Sequence, residues 1–199
     1  PTGTALLYSG GMLKDLHGKT SHGLLRYSKR FQILGVVDHK HAGQMSNEIV
    51  SNWQDDVPIF SDINKAIEGL GIKPDFLVIG LSFHGGQLPE SHRGNIKQAL
   101  KAGIHVVSGL HQLLGEDPDF AETAKEFGSI IYDIRRPKET KDLSFWSGKV
   151  MDLETPRIAV LGTDCALGKR TTCQFLIQAC DESNIKAEII YTGQTGFLQ

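Results

Sequence analysis

A chain of 199 residues, 40% of them apolar and 22% charged, is long enough for one large soluble domain or two small ones. Its formal net charge of −2 gives no overall attraction to nucleic acid or anionic membrane, and no apolar run approaches the about 20 residues that cross a bilayer. The cysteines, Cys165, Cys173 and Cys180, show no C-x-x-C spacing, which argues against a disulfide framework or structural zinc. With no basic-then-apolar leader, the expected location is the cytoplasm. The start at Pro1 and the stop just after an apparent strand suggest a piece of a longer protein.

The first strand is expected over 4–9, "TALLYS". It runs into "SGGMLKDLHGKTSHGLLRYS", where Gly10-Gly11 and Gly18-Lys19-Thr20 offer turns and an anion site but no G-x-G-x-x-G. A second strand at 31–38 ends on Asp38, where dinucleotide folds place a ribose-binding acid and where a capping role competes. Without the glycine fingerprint, an NAD-dependent dehydrogenase is disfavoured. His39 and His41 follow, two apart, with no third metal ligand identifiable; no metal is expected.

A helix over 61–71 opens on a Ser/Asp cap and ends in glycine, with Ile63, Ala66, Ile67 and Leu70 on one face. The strand at 75–81 delivers His84, Gly85, Gly86 and Gln87 to the ligand edge of a sheet. His84 is a candidate general base, since imidazole titrates near neutrality, and a hydrogen-bonded turn residue is the plainer reading. A helix over 89–103 carries His92 and Arg93 in its first turn, and a strand at 104–109 leads to His111. A helix over 117–128, capped by Asp117 with Pro118 behind it, and a strand at 129–134 complete the unit. Strand and helix in alternation imply a doubly wound parallel α/β sheet, a Rossmann-like domain over 1–134. Residues 135–156, beginning Arg135-Arg136-Pro137-Lys138, read as a solvated linker with a few anchoring apolar groups.

After the linker come a strand at 157–162, the loop "GTDCALGKRTT", a helix over 169–183 and a strand at 187–193. This is the first βαβ of a truncated P-loop NTPase-like domain, 157–199. A strand that runs into a glycine-bearing loop and then a helix is the setting a phosphate loop needs. Backbone N–H groups and the helix dipole favour anions there, and Lys169 supplies a point charge. The expected phosphate-binding residues are Gly162, Thr163, Asp164, Cys165, Ala166, Leu167, Gly168, Lys169, Arg170, Thr171 and Thr172. Five residues, not four, separate the two glycines, and Arg170 stands where the metal-binding Ser or Thr belongs. Successive helix residues point about 100° apart, so Thr171 is no substitute. The loop keeps the parts that hold phosphate and lacks the usual part that holds Mg²⁺. Cys173 and Cys180, seven apart, read as core.

The loop spacing, with "GTD" after the strand, resembles dethiobiotin synthetase and its relatives. The first half also looks like the CoA-binding domain of succinyl-CoA ligases. Together, "GTDCALGKRTT", "YTGQTGF", "HGKTSHGLLRYS", "GGQLPESHR" and "VVSGLHQLL" resemble a bacterial family, long a domain of unknown function, associated with D-glutamate N-acetyltransferases. That resemblance implies transfer of acetyl from acetyl-CoA to the amine of an acidic D-amino acid. A phosphate loop without the metal hydroxyl suits CoA phosphates better than ATP hydrolysis. ATP with Mg²⁺, in a ligase or kinase of dethiobiotin-synthetase type, is the alternative, and a non-catalytic nucleotide-sensing module a third.

"TGQTGF" ends a strand, so Gln194 and Thr195 are candidates to bind a substrate carboxylate or amide, with Gly193 and Gly196 allowing close approach. A plain glycine turn competes. Cys165, near a helix N-terminus and Lys169, is a candidate covalent acetyl carrier or a small residue that fits the loop. The expected partners are a small-molecule substrate and further copies of the chain in a homo-oligomer, because half a sheet exposes an edge.

Overall fold

The computed structural model describes residues 1–51, 56–164 and 167–198, which divide into two compact units, 1–135 with 191–199 and 136–190. The first unit carries a parallel sheet of six strands, β1 Gly3–Tyr8, β2 Phe31–Val37, β3 Ile59–Phe60, β4 Phe76–Ile79, β5 His105–Ser108 and β6 Ile131–Asp133. Their order is β3-β2-β1-β4-β5-β6, that of a Rossmann fold, with the reversal between β1 and β4. Tyr8 pairs with Val37 on one side and Ile79 on the other, so the carboxyl ends of β1, β2 and β4 lie level. Just beyond them sit Ser9, Asp38 and Gly80.

The helices are α1 Lys19–Tyr27, α2 Ser46–Ile49, α3 Ile63–Leu70, α4 Glu90–Lys101 and α5 Pro118–Glu126. Alternation along the strands divides the core. Leu6, Tyr8, Leu77, Ile79 and Val106 meet Ile63 and Ala66 of α3, Ile96 and Leu100 of α4, and Phe120 of α5. Ala5, Leu7, Val36, Val78 and Val107 face the other way, onto Leu24 and Leu25 of α1. Each fully buried aliphatic or aromatic side chain contributes about 1.5–3 kcal/mol to such a core.

The caps act as their residue types require. Asp62 accepts from Lys65 N at 2.9 Å, and Gly71, at φ 66°, ends α3 in the left-handed region. Asp117 accepts from Asp119 N and Phe120 N, with Pro118 opening α5. Asp117 also takes both terminal nitrogens of Arg93, at 2.7 and 2.9 Å, which ties α5 to α4. The sequence pattern did not announce α1 or the two-residue β3. Glycine, serine and histidine interrupt the apolar spacing of α1, and β3 is too short to show a period.

The second unit departs from expectation. Its helix, α6 Lys169–Glu182, forms, but neither 157–162 nor 187–193 pairs as a strand among the described residues. A parallel strand is held by ladder partners and covered by helices. Here Ile158, Leu161 and Ile190 are exposed, and α6 buries no residue. Cys173 and Cys180 are therefore half-exposed rather than core. The linker's Phe145 and Trp146 lie in solvent, so they anchor nothing, whereas Arg135 Nε donates to Gly109 O at 2.7 Å and belongs to the first unit. Among the described residues, no helix is long and apolar enough to cross a membrane.

Candidate functional site

The loop before α6 has a geometry set by two glycines. Gly168 caps the helix at φ 89°, a left-handed conformation that side chains rarely adopt, and it offers no side-chain cap to the helix N–H groups. Lys169 folds back along the loop, its ammonium donating to the carbonyl of Asp164. Gly162 makes room for that: a Cβ there would lie 3.1–3.3 Å from the Lys169 stem and ammonium. A cation thus stands at the positive end of a helix dipole, where an anion would gain from both. Thr172 Oγ1 donates to Gly168 O at 3.2 Å, so this hydroxyl is turned back onto the helix. Arg170 and Thr171 are half-buried in the first turn, and Thr163, Asp164 and Leu167 are exposed. Cys165 and Ala166 lie outside the described residues.

Residues 193–196 do not end a strand; Gln194–Leu198 form a 3-10 turn in which Gly196 N donates to Gly193 O at 2.9 Å. The turn belongs to the first unit. Leu198, 1% exposed, joins the core cluster that includes Val107 and that Tyr132 and Ile134 pack against. Thr195 packs its methyl on Gly109, where a Cβ would come within 3.0 Å. The turn therefore packs just beyond β5 and shares a core with Leu24 and Leu25 of α1. The side chain of Gln194 lies outside the described residues.

At the carboxyl edge of the sheet, the loop after β1 is closed by its own chain. Ser9 N and Gly10 N donate to Val37 O, and Met12 N donates to Ser9 O. Gly11 N and Leu13 N donate to Asp38 Oδ2, at 3.0 and 2.9 Å. The other oxygen of Asp38 accepts from Lys40 N, His41 N and His41 Nδ1. Asp38 is fully buried and holds the loop; it is not presented to a ribose. The start of α1 is also stopped: Gly80 O accepts from both Ser21 N and Ser21 Oγ. Gly80 permits that approach, since a Cβ would overlap Ser21 Oγ.

Sequence reasoning missed one cluster at this edge. Tyr8 Oη lies 2.8 Å from His92 Nδ1 and accepts from Asn95 Nδ2 at 3.2 Å. Burial pushes the Tyr8 phenol up to about 12, and Asp38 adds to the effect. Burial first, and His39 second, hold the His92 imidazole below its usual range, which keeps it neutral at pH 7. The two residues stand 84 positions apart, so no local spacing could reveal them. Of the other histidines, His41 is taken by Asp38, and His111 N donates to Gly86 O at 3.0 Å. His84 opens the turn after β4, and its side chain lies outside the described residues. Among the described residues no three His, Cys, Asp or Glu side chains gather as a metal site.

Two proteins named D-glutamate N-acetyltransferase are similar to this chain. One, from Tritonibacter scottomollicae, is 33% identical over 122 residues, and one from a Pseudoalteromonas species is 32% identical over 121. Each alignment covers 61% of this chain and 35% of the relative. A crystal structure of a DUF1611 family protein from Anabaena variabilis shares 34% identity with a TM-score of 0.85, covering 99% of this chain and 55% of that one. The chain thus spans about half the length of that structure and matches about a third of each named relative. Residues 39–137 match the DUF1611 N-terminal Rossmann-like domain and residues 144–199 its C-terminal P-loop domain. With the Rossmann strand order, the glycine-capped lysine loop and both domain models in sequence, the chain belongs to the DUF1611 family.

Proposed function

We propose that the protein is an N-acetyltransferase that moves acetyl from acetyl-CoA to the amine of an acidic D-amino acid such as D-glutamate, with the loop before α6 holding CoA phosphates. The observation that carries the reading is the pairing of Lys169, at the mouth of a glycine-capped helix, with Arg170 where a metal-binding hydroxyl would stand. Such a loop grips phosphate through N–H groups and an ammonium without a metal ligand to drive phosphoryl transfer. The names of the two similar proteins support the reaction class.

The chemistry asks little of the phosphates beyond position. The thioester supplies an activated acyl group; the amine nitrogen attacks its carbonyl carbon, the C–N bond forms and the C–S bond breaks. CoA leaves as a thiolate that takes up a proton, and the attacking amine gives one up to a base. His84 is the candidate for that proton, and Cys165 for a covalent acetyl carrier; both side chains lie outside the described residues. A Cys165→Ser variant with full activity would retire the covalent route.

The test is an assay of the full-length protein with acetyl-CoA and D-glutamate, reading free CoA thiol and N-acetylglutamate together. Equal amounts of both, lost in Lys169→Ala, are the expected result. Turnover of Mg²⁺-ATP with no release of CoA would replace acetyl transfer by an ATP-dependent ligase or kinase. ATP binding without any turnover would favour a sensor.

A further inference from the structure

The carboxyl edge of the Rossmann-like sheet holds groups that acetyl transfer, as drawn above, does not use. Tyr8 closes β1, and His92 lies at the start of α4. Because Asn95 donates to the Tyr8 oxygen, Tyr8 has its own proton to give, and His92 Nδ1 lies 2.8 Å away to accept it. That network assigns the ring proton to Nε2. Phe83 packs on the imidazole with ring centroids 4.8 Å apart, and Gly10, at φ 49°, passes so close that a Cβ would lie 2.7 Å from Nδ1. The ring is held in one orientation.

His92 is only 8% exposed, yet Nε2 makes no hydrogen bond among the described residues. Buried polar groups are paired as a rule. One nitrogen is fixed by Tyr8, and the other has no partner among the described residues. His39 repeats the arrangement one residue along: its ring rests on Gly11 as that of His92 rests on Gly10. It is exposed and makes no hydrogen bond among the described residues.

The ligand class follows from what these groups can and cannot accept. Asp38, the carboxylate at the same loop, takes five hydrogen bonds from Gly11, Leu13, Lys40 and His41, so neither oxygen awaits a donor. The N–H groups of Gly10, Gly11, Met12 and Leu13 are occupied as well, which leaves no backbone cradle for a pyrophosphate. Two imidazoles remain, each seated on a glycine of the loop, His92 on Gly10 and His39 on Gly11. The geometry points to a small-carboxylate site at the switch point between β1 and β4. His92 Nε2–H donates to a ligand oxygen, Tyr8 and Asn95 are positioning residues, and His39 is the second imidazole. This site is independent of the acetyl-transfer reading, since binding a carboxylate needs no CoA.

The test is a titration of the full-length protein, isotopically labelled at the histidine nitrogens, with glutarate, and with glutaramide as the uncharged control. Glutarate should shift His92 Nε2 saturably while Nδ1 keeps its acceptor signature, and glutaramide should not. His92→Asn keeps an acceptor for Tyr8 but has no atom at Nε2, so it should weaken glutarate about tenfold or more. Tyr8→Phe should weaken it about threefold and scramble the tautomer signature of His92, which a merely structural role would not move. No saturable shift at His92, or unchanged affinity in His92→Asn, overturns the site. An equal response to glutaramide overturns the carboxylate. Should His92→Asn fail to fold, the wild-type and Tyr8→Phe spectra decide between the same outcomes.

Discussion

Two glycine loops in this protein look alike as text and differ as structures. The loop after β1, with Gly10-Gly11, lies at the carboxyl edge where a Rossmann fold cradles phosphate, yet its N–H groups are bound by Val37 O, Ser9 O and Asp38. The loop before α6, with Gly162 and Gly168, instead brings a lysine to a helix start whose N-cap residue has no side chain. Glycines alone do not make an anion site. In the first loop the buried carboxylate of Asp38 already supplies acceptors for the glycine-rich turn.

The difference can be broken from either side. Asp38→Ala removes five accepted hydrogen bonds from a fully buried position and should destabilise the first unit by about 4 kcal/mol in urea unfolding. A loss below about 1 kcal/mol would mean the clamp is ornamental. Leu198→Ala comes next, at about 3 kcal/mol, because a side chain 1% exposed leaves a cavity in the core it shares with Val107. That loss in the Rossmann-like transition would show that the turn after Tyr191 folds with the first unit. Gly80→Ala, which drives a methyl onto Ser21 Oγ, should cost about 2 kcal/mol and unseat the start of α1, read as lost helical signal.

The smallest effect concerns pH. The Arg93 guanidinium holds the Asp117 carboxyl below its usual range, with the α5 N–H groups assisting. A carboxylate lowered in the folded state contributes fully above its ordinary value of 3.8, and the contribution fades as pH falls through the lower folded value. Arg93→Met should therefore flatten the acid side of the stability curve and leave the side near pH 7 to 9 parallel to wild type. An unchanged acid limb would remove the pair from the account.

What could be read in advance follows from how local each signal is. The strands at 4–9 and 75–81 were legible because residues buried on both faces leave continuous apolar runs, as Leu6, Leu7, Leu77 and Val78 do. The caps Asp62 and Asp117 were legible because their partners lie two or three residues away. The role of Asp38 was legible in part: its bonds to Lys40 and His41 are the local capping that competed with a ribose, whereas the amides of Leu13 and Gly11 stand 25 and 27 residues distant. Tyr8–His92 was not legible, since it needs the fold before the pair exists. The segments 157–162 and 187–193 misled in the opposite sense: β-branched composition describes a residue fit for a sheet, and the ladder partner must come from elsewhere.

The loop before α6 is where the account stands or falls, and calorimetric titration of CoA into wild type and Lys169→Ala, without Mg²⁺, measures it directly. Lys169 is half-buried at the start of α6, a helix that buries no residue, so its removal should leave folding unchanged. The account predicts metal-independent CoA binding by the wild type, weakened about tenfold or more in the variant. Equal binding by the two proteins, or binding that requires Mg²⁺, would contradict it.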